Sequence, residues 1–177
     1  MNGTDLQNVE ILAAGEEHLA SIRDLAGVIW REHYPGIIST AQIDYMLAGM
    51  YSLETLRREI GSEDIRYHCL RSKGELIGFG SQGPTSEPGV MKLHKLYLLP
   101  QMHGRGLGSL LLRHCMKEAG ALGAKRLILT VNKRNEKAIA AYQRNGFRVI
   151  ESIVTDIGAG FVMDDYVMAR NLESEAV

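Results

Sequence analysis

The first third of the chain is patterned mainly for helices. A short apolar stretch at residues 8–13 predicts a strand, and residues 16–34 carry apolar side chains every three or four positions, which predicts a helix. Pro35 and the glycine after it end that helix. Ser39 and Ser52 are the predicted N-caps of two further helices.

From residue 65 onward the pattern changes to that of strands. Residues 65–72 and 75–81 predict a hairpin, turning at Lys73–Gly74. The segment 83–89 holds two prolines and two glycines and predicts a loop. Further strands are predicted at 91–99, 126–131, 147–157 and 161–170, with helices at 106–122 and 135–144. This order predicts an α/β fold, a mixed sheet with helices packed on it.

No linker, repeat or low-complexity tract divides the sequence. Residues 1–177 are therefore predicted to form a single domain, which is long enough to bury a substantial core. Residues 16–60 form its helical region. Residues 65–170 contain all the predicted strands except the first, together with the motifs described below.

Composition narrows the function classes. The chain is 45% hydrophobic and 23% charged with a net charge of −1, which argues against nucleic acid or a membrane surface as partner. Cys69 and Cys115 lie in a strand and a helix and are predicted to be buried thiols in a reducing compartment. We find no secretion signal and no membrane-spanning apolar run, so a cytoplasmic location is expected.

A glycine-rich turn between a strand and a helix is the most informative segment. Gly104, Gly106 and Gly108 alternate where the helix begins, with Arg105 between the first two. Glycines let a ligand approach the backbone closely, and the first N–H groups of a helix attract anions. The turn is therefore predicted to bind a pyrophosphate.

Two common nucleotide motifs do not fit this turn. A Walker motif needs a Lys-Ser/Thr pair after its last glycine, and that pair is absent. A dinucleotide fingerprint needs a glycine at position 109, which is Ser109, and needs the turn near the start of a βαβ unit. A glycine-rich connector without a ligand is the remaining alternative.

Two motifs carry a resemblance to a known family. Residues 103–108, His-Gly-Arg-Gly-Leu-Gly, resemble motif A of the GNAT acetyltransferases, although His103 replaces the usual Arg or Gln. Residues 135–147, with Asn135, Ala138, Tyr142 and the closing Gly-Phe, resemble motif B. More loosely, residues 30–56 and 163–168 are similar to bacterial diamine and spermidine acetyltransferases.

The resemblance implies a central mixed, mostly antiparallel sheet flanked by helices, with acetyl-CoA as cosubstrate and no metal. It makes residues 16–60 the acceptor side and residues 65–170 the acetyl-CoA-binding core. A backbone N–H within residues 96–98 is implied to polarise the acetyl carbonyl. The residues implied to contact acetyl-CoA are Leu96, Tyr97, Leu98, His103, Gly104, Arg105, Gly106, Leu107, Gly108, Ser109, Asn135 and Tyr142.

Acetyl transfer to an amine also needs a base and an acid. An alkylammonium with a pKa of about 10.4 must lose its proton, which costs roughly 4.6 kcal/mol at pH 7. His94, on the strand before the turn, is the candidate base, because Lys92 stands where other family members have a glutamate. Tyr142 is the candidate acid that protonates the leaving CoA thiolate. Asn135 is both a predicted N-cap and a candidate contact of the pantetheine arm.

The acceptor site is less well specified by the sequence. Trp30 and Tyr34 are candidate substrate-binding residues that could enclose a cation or an aromatic amine, and Trp30 could instead belong to the core. Asp156, Asp164 and Asp165 could attract a polyamine or be ordinary solvated charges. The expected partner is a small-molecule amine or polyamine, and a homodimer is possible.

Two other functions stay open at this point. One is N-acetylation of a protein or peptide, and the other is a non-catalytic acyl-CoA-binding module. Tyr142 argues against the second, and the missing carboxylate at position 92 favours it.

Overall fold

A seven-stranded sheet organises the protein. The computed structural model describes residues 8–172, and its strands run in the order β1-β2-β3-β4-β5-β7-β6. The strands are β1 Val9–Ala13, β2 Arg66–Ser72, β3 Glu75–Pro84, β4 Val90–Leu98, β5 Arg126–Asn132, β6 Arg148–Gly158 and β7 Phe161–Asn171. All neighbouring pairs are antiparallel except β4 and β5, which are parallel. The predicted mixed, mostly antiparallel sheet is therefore confirmed.

Within the described residues, five α-helices cover the two faces of the sheet. They are α1 Leu19–His33, α2 Thr40–Met50, α3 Leu53–Ile60, α4 Leu107–Ala121 and α5 Glu136–Arg144. The predicted caps are confirmed, because the side chains of Ser39, Ser52 and Asn135 each accept a backbone N–H of the first helical turn. Short 3₁₀ helices, Glu16–His18 and Pro100–Met102, precede α1 and follow β4.

Each face of the sheet has its own core. Helices α1–α3 pack on one face around Trp30, Tyr51 and Phe79. Helix α4 packs on the other face with Leu111 and Leu112, and α5 joins it there. Cys69 and Cys115 are buried free thiols on opposite faces, as predicted.

The predicted loop at 83–89 is wrong at its start. Gly83 and Pro84 belong to β3, where they pair with Lys92 and Met91 of β4. Proline is tolerated here because it is the last residue of its strand. The loop is therefore shorter than its glycine and proline content suggests.

A bulge in β4 sets the geometry of the sheet centre. Ser81 pairs with Lys95 but Gln82 pairs with Leu93, so His94 is an extra residue in β4. Pairing of β4 with β5 ends at the same place, at Leu93 opposite Leu129. Beyond that point β4 keeps only its β3 neighbour among the described strands. The two central strands thus separate just before the glycine turn.

A buried ion pair lies directly beside the bulge. The Lys95 side chain is only 4% exposed, and its Nζ lies 2.6 Å from Oε2 of Glu59 on α3. Tyr67 of β2 also donates its hydroxyl to Glu59. Burial lowers the pKa of Lys95, while Glu59 acts in the opposite direction. The pair therefore ties α3 to the strand that carries the bulge.

Replacing Glu59 tests this tie. Glu59→Gln leaves the Lys95 ammonium buried without its counter-charge, and we expect the free energy of unfolding to fall by about 3 kcal/mol. Urea denaturation measures the loss. The matched control is Glu16→Gln, which breaks the exposed Glu16–Arg57 pair and should cost less than about 1 kcal/mol. Equal losses in the two variants would show that the buried pair has no special importance.

Candidate active site

The glycine turn has a backbone that only glycine adopts easily. Gly104 and Gly106 have φ angles of +77° and +78°, and Gly106 is the N-cap of α4. A Cβ atom added at either residue, or at Gly108, would meet no atom within 4 Å. Gly104 and Gly106 are therefore favoured by their backbone conformation, and the space beside all three glycines is open to a ligand.

The start of α4 offers several backbone donors to that space. The first hydrogen bond of the helix runs from the Leu110 N–H to the Gly106 carbonyl at 2.9 Å. The N–H groups of Leu107, Gly108 and Ser109 precede it and have no acceptor within the helix. Such groups, with the helix dipole behind them, form a site for phosphate oxygens.

His103 holds the turn against the end of β4. Its Nε2 lies 3.0 Å from the Leu98 carbonyl and donates to it, which fixes the tautomer. The Nε2 atom of this side chain is thus occupied by a hydrogen bond to the protein's own backbone. Arg105, two residues on, is exposed on the surface of the turn. Their contacts with acetyl-CoA stay a prediction.

A side-chain contact joins the two sequence motifs. The Oγ of Ser109, in the first turn of α4, accepts from the Asn145 side chain at 3.0 Å. Asn145 lies at the end of α5 and also donates to the Ala141 carbonyl at 2.8 Å. The helix that begins at the glycine turn is therefore fixed against the helix that carries Tyr142.

Asn135 is a buried N-cap with a second partner. Its Oδ1 accepts from the Ala138 N–H at 3.4 Å and lies 3.1 Å from His33 Nε2 on α1. The amide oxygen is therefore occupied, which leaves the side-chain NH₂ group for the pantetheine contact that the resemblance implies.

Tyr142 lies on α5, half-buried against the sheet. Its ring centroid is 5.8 Å from that of Phe147. Burial raises the pKa of the phenol above its ordinary value, and Tyr34 and Cys115 raise it further. The phenol is therefore protonated at neutral pH, as an acid must be. Within the part of the chain that the structure describes, its hydroxyl has no hydrogen-bond partner.

His94, the candidate base, occupies the bulge in β4. Desolvation, Lys92 and Lys95 lower its pKa below 6.5, so the ring is neutral at pH 7 and able to accept a proton. Its Nε2 would be 3.2 Å from a Cβ atom added at Gly83 of β3. The ring therefore lies beside Gly83 of β3. Its role as base stays a prediction.

The two candidate acceptor residues are packed in the core of the helical face. Trp30 is 1% exposed, and its ring centroid lies 4.4 Å from Tyr34 and 5.8 Å from Tyr97. Tyr34 is also buried, but it interacts electrostatically with Asp165 on β7. The alternative of a core position therefore describes Trp30 in this structure, and Tyr34 belongs to the same core.

Sequence reasoning did not separate Asp165 from its neighbours. It grouped three aspartates of the last hairpin together, yet Asp164 is exposed and pairs with Lys133, while Asp165 is 8% exposed. Strand alternation was the available indication, since neighbouring residues of β7 must point to opposite faces.

The fold and the turn together define an acyl-CoA-binding acyltransferase architecture. A model of the acetyltransferase (GNAT) family matches residues 22–147. The chain therefore belongs to the acetyltransferase (GNAT) family, whose members are acetyl-CoA-dependent N-acetyltransferases. This confirms the predicted family.

Individual relatives agree with this assignment. An uncharacterized N-acetyltransferase of Mycobacterium tuberculosis is 34% identical over 102 residues, which cover 58% of this chain and 64% of that protein. The chain thus matches less than two thirds of this relative. Spermidine N(1)-acetyltransferase of Thermoplasma acidophilum is 29% identical over 161 residues, covering 89% of this chain and 96% of that protein.

A solved structure resembles the whole arrangement. The crystal structure of the PaiA N-acetyltransferase from Thermoplasma acidophilum in complex with coenzyme A has a TM-score of 0.82 and 27% identity. The match covers 93% of this chain and 99% of that one. Within residues 8–172 we find no group of three or more side chains that could hold a metal ion, and no helix long and apolar enough to cross a membrane.

Replacing Gly106 tests the cosubstrate site. Gly106→Val puts a branched side chain at a positive φ, where strain costs about 1–3 kcal/mol, and blocks close approach to the amides. We expect at least a tenfold weaker acetyl-CoA affinity (about 1.4 kcal/mol) by calorimetry.

Gly123→Val is the matched control. Gly123 has a φ of +84° and open space around it, but it lies beyond the other end of α4. Its variant should carry comparable strain and bind acetyl-CoA normally. Unchanged affinity in Gly106→Val would mean that the turn is not the binding site.

Proposed function

We propose that this protein transfers the acetyl group of acetyl-CoA to a primary amine by direct attack within a ternary complex. The observation that carries the proposal is the separation of β4 from β5 along the second half of β4, the strand that leads to the glycine turn. The separation leaves room for the thioester between the strands, while the turn offers amides to the pyrophosphate. Family membership supports the same reaction.

The chemistry is assigned to groups on both sides of the opening. The amine nitrogen attacks the carbonyl carbon of the thioester, and a backbone N–H within residues 96–98 stabilises the developing oxyanion. The carbon–sulfur bond then breaks, and Tyr142 gives its proton to the CoA thiolate. The raised pKa of Tyr142 keeps the phenol protonated until the thiolate forms, and transfer of its proton to this less basic group costs free energy.

A small amine or polyamine is the proposed acceptor. Its support is the relative named spermidine N(1)-acetyltransferase, together with the aspartates of the β6–β7 hairpin, of which Asp165 is buried. Homodimer formation and a cytoplasmic location stay predictions. Thiol release from acetyl-CoA with spermidine, an arylalkylamine and a peptide amine would identify the acceptor class.

Tyr142→Phe tests the proposed acid. The substitution keeps the ring that packs near Phe147 and removes only the hydroxyl, so stability should change little. Single-turnover acetylation should slow by ~10²–10⁴-fold, with acetyl-CoA affinity unchanged.

Tyr166→Phe on β7 is the matched control, since Tyr166 packs against the same core. We expect it to react at the wild-type rate. A wild-type rate in folded Tyr142→Phe would reject Tyr142 as the acid.

A further inference from the structure

Asp165 is a buried carboxylate, and one of its oxygens has no hydrogen-bond donor among the described residues. The residue is 8% exposed, and its Oδ1 is enclosed without any hydrogen-bond donor from residues 8–172. Enclosing a carboxylate oxygen without a donor costs free energy that folding must supply. A bound molecule that donates a hydrogen bond to this oxygen would offset the cost.

The position of Asp165 in the sheet places it at the opening. In the sheet register it lies opposite Asn132 of β5, which is also buried. Asn132 is three residues beyond Leu129, the last residue of β5 that pairs with β4. Asp165 is therefore level with the part of the sheet where β4 and β5 have separated.

Tyr34 connects Asp165 to the proposed acid. Tyr34 interacts electrostatically with Asp165, and it also raises the pKa of Tyr142. Tyr34, the C-cap residue of α1, is thus within electrostatic range of both the carboxylate and the phenol.

The surrounding charges distinguish Asp165 from the aspartate before it. Lys133 forms an ion pair with Asp164, which is exposed. Burial raises the pKa of Asp165 and Asp164 adds to this, while Lys92 of β4 and Lys133 lower it. A carboxylate raised in this way is a stronger base than an exposed one.

We propose that the Asp165 carboxylate binds the ammonium group of the acceptor amine and takes its proton. This inference rests on the proposed function. The nitrogen–hydrogen bond electrons stay on the nitrogen, which attacks the thioester, and the proton passes to the Asp165 oxygen. The carbon–sulfur electron pair leaves with the CoA thiolate, which takes its proton from Tyr142. As the amide forms, its nitrogen gives its second proton to the Tyr142 phenolate, and the Asp165 carboxylic acid then releases its proton to solvent.

The test compares Asp165→Asn with Asp164→Asn in the full chain. Both variants remove one aspartate charge from β7, but only the first removes the buried carboxylate. We expect Asp165→Asn to lower kcat/KM for the best amine of the panel by ~10²–10⁴-fold, with acetyl-CoA affinity unchanged. Asp164→Asn should stay near wild type. Asp165→Glu should recover part of the lost rate.

The pH profile gives a second readout. In the wild type, kcat/KM should fall at low pH as the group with the raised pKa gains a proton, and this limb should be absent from Asp165→Asn. Wild-type rates and an unchanged limb in folded Asp165→Asn would overturn the inference. The same holds if His94→Gln alone removes the limb, which would return the role to His94.

Calorimetry separates this inference from the proposed function. If the wild type acetylates no amine in the panel, the proposed function is wrong. In that case, spermidine binding to the CoA-bound protein tests whether Asp165 binds an ammonium group. Binding to wild type and to Asp164→Asn, but not to Asp165→Asn, supports the ammonium site. Equal binding heats in all three proteins, or no spermidine binding to any of them, contradict the ammonium site at Asp165.

Discussion

The early end of the β4–β5 pairing is the constraint on which the site depends. Two parallel strands that pair only from Val90 to Leu93 on β4 cannot close the sheet further along. The bulge at His94 shifts by one residue the alternation of side chains between the two faces of β4. As a result, Leu96 and Leu98 lie on the same apolar face as Met91 and Leu93. The core stays intact on the α4 face while the sheet opens.

Elements on both faces hold this opening in place. On one face, the Glu59–Lys95 pair fixes the residue next to the bulge to α3. On the other, Ser109 and Asn145 connect the start of α4 to the end of α5. The glycine turn and Tyr142 are thus attached to each other and to the strand that opens. This rigidity suits a reaction that requires a thioester and an amine to meet in a defined geometry.

Local signals in the sequence were sufficient for the elements and the turn. Caps such as Ser39 and Asn135 act within one helical turn, and Gly104 and Gly106 adopt backbone angles that other residues resist. The bulge left a trace as well, since apolar residues in β4 shift from odd to even positions after Leu93. This shift in the apolar pattern identifies a bulge only once the pairing of β4 with β3 is known.

Features that depend on contacts between residues far apart in the sequence could not be predicted from local patterns. The Glu59–Lys95 pair joins residues 36 positions apart. The difference between Asp164 and Asp165 depends on which face of β7 lies over the opening, and the position of Trp30 depends on how α1 meets the sheet. Each of these is decided by tertiary packing, which overrides local pattern.

The central claim is that acetyl-CoA binds where β4 and β5 separate, with its pyrophosphate on the glycine turn. Amide chemical shifts in a ¹⁵N–¹H spectrum, followed as acetyl-CoA is added, test it most directly. The largest changes should fall on residues 104–109 and 96–98, on the two sides of the opening. Changes confined to the β6–β7 hairpin or to the outer surface of α1 and α2 would contradict the account.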